Sequence, residues 1–284
     1  QFSIISCSIF YHYEYYQSRF LIHITYAVTL LVFIGFVFDP NIFSGRYSGV
    51  VWNPNMLASF SSIAFAVLLL SQKQRTKFDL VLLVLLLIIS LATGSRGVLV
   101  AIFLAYIFRY GFSIRNMIYI LFASVFYFVL INFQLDTSIN RFVSQELFND
   151  RLLQYQYAYE TLLQKPIFGF GLDKYAYLNT ELVPYNLRDK IIGAHNGYLA
   201  ILVQYGFVFG LFIIGLIFYQ TAQFYLRIDK ENLAQLSYLY IIVYAIVVSF
   251  YESMMTGINE FHTVLFWFSF GFLSYSIYKK EYGD

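Results

Sequence analysis

The sequence predicts an all-α, polytopic integral membrane protein, and three observations carry that prediction. The first is composition: of 284 residues, 60% are hydrophobic and only 12% charged, with a mean hydropathy of +0.65. A soluble domain carries about a quarter charged residues, so this chain lacks the charge to coat a water-facing surface. The second is that long apolar runs recur along the whole length, as membrane spans do. The third is the alternation of Lys and Arg between successive connections, the signature of a chain that crosses and recrosses a bilayer. Lipid offers no partner to an unpaired amide, so the spans must be helices. These features exclude a cytosolic enzyme, a secreted disulfide scaffold and a nucleic-acid-binding domain. The formal net charge of +2 is too small to point to an anionic polymer.

The elements follow in order. Gln1–Phe10 is apolar but too short to span about 30 Å of hydrocarbon, so further helices are expected before it. Cys7, the single cysteine, allows no internal disulfide and reads as a small buried hydrophobe. About eight spans are visible: Phe20–Phe38, Met56–Leu70, Phe78–Ala92, Val98–Phe108, Met117–Phe133, Tyr198–Tyr219, Ala234–Tyr251 and Phe261–Tyr278. Several fall short of about 20 residues, so their ends should run into the adjoining loops. Arg19, Lys73, Arg75, Lys77, Arg109, Arg115, Arg227, Lys230, Lys279 and Lys280 fall on one side, which is therefore cytoplasmic. The short loops of the other side carry Arg46 and Arg96. The chain divides into N-terminal membrane helices (1–133), a large extracytoplasmic loop (134–195) and C-terminal membrane helices (196–284). The loop should contain a helix over Arg151–Gln164, with Leu152, Tyr155, Tyr159, Leu162 and Leu163 near one face. It ends before Lys165-Pro166 and is suited to lie along the membrane surface.

The spans are almost free of ionisable groups. His23 is the interior exception, while Asp79 and Glu252 lie at span ends. Pumps and proton-coupled transporters need acids or bases at mid-membrane depth, so chemistry here belongs at the outer face. That face holds Arg46, Arg96, Arg141 and Arg151, with Arg188 and Lys190 nearby. Arg96 sits in the tight turn Thr93-Gly94-Ser95-Arg96-Gly97. It is either a snorkelling side chain at a helix end or a planar fork of donors for phosphate. Arg46 lies in Gly45-Arg46-Tyr47-Ser48-Gly49, ahead of Asn53-Pro54-Asn55, which can also simply start a helix. Arg151, after Asn149-Asp150, reads equally as a surface ion pair. Pro166-Ile167-Phe168-Gly169-Phe170-Gly171 says by itself only that the backbone turns sharply. His195-Asn196-Gly197 runs straight into a span, and Gly206 lies three helical turns further on, so the two share a face. Imidazole is the side chain best suited to take a proton near neutral pH, although a histidine at the interface also serves as an anchor. His12, His23 and His262 have no such company and read as structural. No His or carboxylate pair has metal-ligand spacing, so no metal is expected.

In order, these motifs resemble the O-antigen ligase and Wzy-type polymerase superfamily: Ser95-Arg96-Gly97 between spans, Arg151 opening a loop helix, the Pro166–Gly171 stretch, then His195-Asn196 and Gly206. The resemblance runs by motif from Arg46 to Gly206 and by topology beyond. Family members are longer, in keeping with missing N-terminal helices. The resemblance implies a glycosyltransferase of the outer face of the bacterial plasma (inner) membrane that uses an undecaprenyl-pyrophosphate-linked oligosaccharide. His195 would be the general base, and Arg96 and Arg151, with Arg46, would hold the pyrophosphate. Asn196, Gly169 and Gly171 would complete the substrate-binding set.

The function expected is a polysaccharide repeat-unit polymerase working without metal or cofactor and with inversion, in capsule or exopolysaccharide synthesis. A ligase with a different acceptor, or a non-catalytic transporter of lipid-linked sugars, are the alternatives. The expected partners are the lipid-linked oligosaccharide, membrane lipid and other polysaccharide assembly and export proteins, with no nucleic acid.

Overall fold

The computed structural model describes residues 2–42, 45–70, 76–119, 121–122, 125, 146–171, 195–257 and 260–283. Their regular elements are α-helices and one 3-10 turn at Gly49–Val51, as the all-α expectation requires. The helices are Phe2–Tyr11, Tyr13–Ser18, Phe20–Phe38, Pro54–Leu70, Lys77–Ala92, Arg96–Tyr110, Glu146–Gln164, Gly197–Arg227, Leu233–Val248 and Phe261–Tyr282. Seven of the eight expected spans thus coincide with helices to within a few residues at most ends. Most of Met117–Phe133 lies outside the described residues, as does most of the loop 134–195. Among the described residues two helices, Phe20–Phe38 and Gly197–Arg227, are long and apolar enough to cross a membrane, and Pro54–Leu70 and Leu233–Val248 are shorter apolar helices.

The chain forms two compact units. The first comprises residues 1–144, 228–244 and 271–284. Its centre is Pro54–Leu70, whose residues from Leu57 onward are buried almost without interruption. Serines within it satisfy themselves: the Ser61 hydroxyl donates to the Leu57 carbonyl at 2.7 Å, and Ser90 donates to Ser61 at 2.9 Å. Lys77–Ala92 begins with a capping box, in which Thr76 accepts from the Asp79 N–H and Asp79 accepts from the Thr76 N–H. That pairing explains a buried aspartate at a span end. Tyr47 pins the loop before Pro54. Its ring is buried with Val32, Leu57, Ile89 and Ala92, and its N–H donates to the Ala92 carbonyl at 3.1 Å.

Cys7 departs from expectation, because it is exposed. The helix Phe2–Tyr11 packs inward through Ile9, beside Gly271, and Cys7 shares the outward face with Ser3, Ile4 and Tyr11.

The second unit comprises residues 145–227 and 245–270. The loop helix begins earlier than expected, at Glu146, and ends at Gln164 as the Lys165-Pro166 signal requires. It buries Tyr157, Ala158 and Leu162 against Val203 of the helix Gly197–Arg227. That helix is broken. Gly206 has φ 70° and ψ −178°, so the assumption that His195 and Gly206 share one continuous helical face does not hold. The reason is an interlock with the segment after the loop helix. The N–H groups of Phe170 and Gly171 donate to the Val203 and Gln204 carbonyls at 2.9 and 2.8 Å, and the Phe207 N–H donates to the Pro166 carbonyl at 2.6 Å. The backbone groups freed by the break are thereby satisfied, which is the condition for irregular backbone inside an apolar helix.

A Cβ at Gly206 would lie 2.2 Å from the Ile167 carbonyl oxygen, whereas one at Gly215 would meet nothing within 4 Å. Gly206→Ala should therefore destabilise the folded protein by more than about 2 kcal/mol, through a forbidden φ and a backbone clash. Gly215→Ala should be neutral or stabilising by up to about 1 kcal/mol. Thermal unfolding of the two variants in the same detergent checks the contrast, and equal losses in both would contradict it.

Candidate active site

The site begins with a helix cap. The Asn196 side-chain oxygen accepts from the N–H groups of Tyr198 and Leu199, each at 3.0 Å, and its amide nitrogen donates to the Phe250 carbonyl at 2.9 Å. Asn196 is thus engaged within the protein on both ends of its amide. Gly197 follows, and its N–H donates to the Ser249 carbonyl at 2.8 Å. A Cβ there would lie 2.9 Å from the Ser249 hydroxyl, so the helix start and the end of Leu233–Val248 meet at a distance that only glycine permits. His195 precedes this cap with φ 43°, a left-handed conformation unusual for a side chain of its size. Backbone of this kind persists only where the surroundings fix it, and it gathers at functional sites.

The residues after Val248 continue the same pattern. The Tyr155 hydroxyl donates to the Phe250 carbonyl at 3.2 Å, and Arg151 Nη1 donates to the Tyr251 carbonyl at 3.0 Å. Tyr155 and Arg151 are one turn apart on the loop helix, so a single helical face grips this strand of backbone. Held this way, Glu252 faces a guanidinium and an imidazole. One carboxylate oxygen accepts from Arg151 Nη2 at 2.7 Å, and the other lies 3.2 Å from His195 Nδ1. The side chains of Glu252 and Arg151 retain 22% and 26% exposure and that of His195 35%, so the imidazole is the member most open to a substrate. Loss of water around Glu252 pushes its carboxyl up. The His195 hydrogen bond and the Arg151 charge more than offset this, and the group is held below its ordinary value of 4.5. Partial burial raises the Tyr155 phenol against the pull of Arg151, which keeps it a neutral donor at ordinary pH.

The Arg46 and Arg96 positions belong to the first unit. Arg46 Nε donates to the Thr93 carbonyl at 3.1 Å, and Nη2 donates to Asn55 Oδ1 at 2.5 Å. Arg46 thereby joins the turn Thr93–Ser95, on which Arg96 is the first residue of its helix. A guanidinium at a helix N-terminus adds to the positive end of the backbone dipole, and the two together favour an anion. Gly169 (φ 69°) packs its Cα on the broken helix: a Cβ would meet the Gln204 carbonyl oxygen at 2.4 Å. Gly171 (φ 76°) turns the chain and contributes the N–H bonded to Gln204. Both glycines serve backbone packing. Arg141, Arg188 and Lys190 lie outside the described residues. Among the described residues no group of three or more His, Cys, Asp or Glu side chains is placed to hold a metal ion.

Glu252 is the residue that sequence reasoning left out. It was visible as an acid at the outer end of a span, the same end to which His195 belongs, in a chain with few ionisable groups. His262 also has company that spacing did not suggest, with Nε2 2.7 Å from Glu260 Oε2.

An imidazole backed by a carboxylate, which is in turn held by a guanidinium, is the arrangement that a candidate acid–base site needs. Residues 81–215 match the family model described as O-antigen ligase (Wzy_C), a segment that contains Arg96, Arg151, His195 and Gly206. The match bears out the resemblance to the O-antigen ligase and Wzy superfamily. Proteins of this family are membrane proteins, and the family implies ligase or polymerase activity on lipid-linked oligosaccharides. A comparison with curated proteins gives no match.

The depressed Glu252 carboxyl has a consequence for stability. A lowered folded value contributes stability above the unfolded value, and that contribution is lost as pH falls through the folded one. Glu252→Gln should lower stability by about 1–3 kcal/mol near neutral pH, because it leaves the Arg151 charge unbalanced. The gap in melting temperature between wild type and variant should close as pH is taken below 4.5. A gap independent of pH would show that the ion pair is not its source.

Proposed function

We propose that the protein is a glycosyltransferase of the bacterial plasma membrane, crossing it many times with its site at the outer face. It polymerises polysaccharide repeat units from an undecaprenyl-pyrophosphate-linked donor. The observation that carries the reading is the Arg151–Glu252–His195 chain of contacts, which supplies an oriented base without supplying a second reactive group. With Nδ1 turned to Glu252, Nε2 is the nitrogen presented to the acceptor hydroxyl. As the acceptor oxygen bonds to the anomeric carbon, His195 takes its proton and the bond from that carbon to the pyrophosphate oxygen breaks. The pyrophosphate leaves with the electron pair and the anomeric centre inverts. Arg46 and Arg96 bind the departing pyrophosphate and stabilise the charge it gains, a role that asks for no metal ion. Arg151 positions Glu252, with guanidinium N–H groups to spare beyond the two bonds it makes. Asn196, Gly169 and Gly171 hold the backbone that presents His195. The apolar residues exposed on Gly197–Arg227 beyond the break, among them Phe209, Leu211 and Phe212, suit contact with lipid.

The test is reconstitution with undecaprenyl-pyrophosphate oligosaccharide in detergent containing EDTA. Wild type should build a ladder of longer lipid-linked glycans, and His195→Ala should bind donor but lose at least about 100-fold in rate. Arg46→Ala and Arg96→Ala should weaken donor engagement, and lysine at either site should restore little, because a point charge lacks the planar fork. Donor consumption that requires a different acceptor would make the protein a ligase. Absence of turnover with every acceptor, or full polymer from His195→Ala at matched expression, would remove the catalytic reading and favour transport.

A further inference from the structure

The turn that carries Arg46 also carries the least expected side chain of the first unit. Trp52 is 89% exposed and has φ 61° and ψ −8°, so a large aromatic occupies a left-handed position where glycine or asparagine would sit without strain. Nothing local requires tryptophan there. The preceding 3-10 turn is closed by the Val51 N–H on the Ser48 carbonyl at 3.2 Å. The following helix is capped by Asn53, whose side-chain oxygen accepts from the Asn55 and Met56 N–H groups at 2.9 and 3.3 Å. The backbone is therefore fixed on both sides, and the indole stands out from a rigid turn. The same turn is tied to Arg46, since Asn55 receives Arg46 Nη2.

We infer that Trp52 is a stacking platform for a sugar ring of the lipid-linked glycan; this inference rests on the proposed function, with Arg46 binding the pyrophosphate. Arg46 is bonded to Asn55, three residues along the chain from Trp52, so a sugar joined to that pyrophosphate starts close in sequence to the indole. An indole face accepts the C–H face of a pyranose, and its N–H and the exposed Asn53 beside it offer polar contacts to hydroxyls. Rigidity favours this use over a lipid anchor. An anchor at the bilayer interface tolerates many positions and orientations, and gains nothing from a strained backbone. A ring platform gains from a fixed point of attachment, which this turn supplies.

The experiment measures Trp52 emission as the difference between wild type and Trp52→Phe in nanodiscs. The probes are lipid-linked oligosaccharide purified from cells that make the protein, undecaprenyl pyrophosphate without sugar, and phospholipid brominated along its acyl chains. The glycan-bearing lipid should change the Trp52 signal, and the sugar-free lipid should not. Trp52→Ala and Trp52→Gly should each weaken glycan-donor binding about tenfold and leave sugar-free lipid binding unchanged, while Trp52→Phe stays within about threefold. Trp52→Gly should unfold at a temperature no lower than wild type, since glycine relieves the backbone strain. Quenching by brominated lipid with unchanged donor affinity in Trp52→Ala would make the residue a membrane anchor and overturn the inference. An equal response to sugar-free lipid would overturn it as well. Failure of wild type to bind the glycan-bearing lipid at all would overturn the proposed function itself, a result distinct from normal binding that ignores Trp52.

Discussion

The second unit depends on one carboxylate engaging a guanidinium and an imidazole at once. Glu252 reaches Arg151 with one oxygen and His195 with the other, and neither contact survives unless three stretches of backbone are held in register. The loop helix supplies Arg151, the cap before Gly197 supplies His195, and the turn after Val248 supplies the acid. Their register is set by main-chain carbonyls: those of Ser249, Phe250 and Tyr251 accept from Gly197, from Asn196 and Tyr155, and from Arg151. Three consecutive carbonyls past a helix end have no helical partner, and leaving one unpaired costs about 1–3 kcal/mol wherever water is excluded. The hydrogen bonds that relieve that cost are the ones that place Glu252.

Glycine makes this register possible at two places, for different reasons. At Gly197 it allows the helix start to approach Ser249 more closely than a side chain would permit, and at Gly206 it breaks the same helix. The break matters because Pro166–Gly171 bonds to the carbonyls that it frees, so the segment following the loop helix is fastened to the helix that begins at His195. Arg151 and His195 are thus tied at both ends of the loop helix, by ion pair at one end and by backbone interlock at the other.

The helices and their approximate limits were legible in the sequence because apolar runs and charged connections are local, one-dimensional signals. His195 was legible because imidazole beside Asn-Gly at the head of an apolar run is chemically conspicuous. Glu252 was not, because its role depends on a meeting of residues 57 and 101 positions apart in the chain. Gly206 misled for a related reason. Three helical turns from His195 looks like a shared face under the ideal helical period, and nothing in the local pattern signals that another segment bonds into the break. Cys7 misled because an apolar composition does not say which face of a short helix turns inward.

The spending of the Arg151 charge on Glu252 also bears on how the proposed reaction would balance. With His195 neutral, the Arg151–Glu252 pair leaves the three residues at zero net charge, which places no strong field on a neutral acceptor sugar. When the imidazole takes the hydroxyl proton, the same three residues carry one positive charge, and it appears as the leaving pyrophosphate gains its negative charge. Glu252 would stabilise that imidazolium through Nδ1, and the His195 hydrogen bond together with the Arg151 charge keeps the carboxylate ionised so that it can do so.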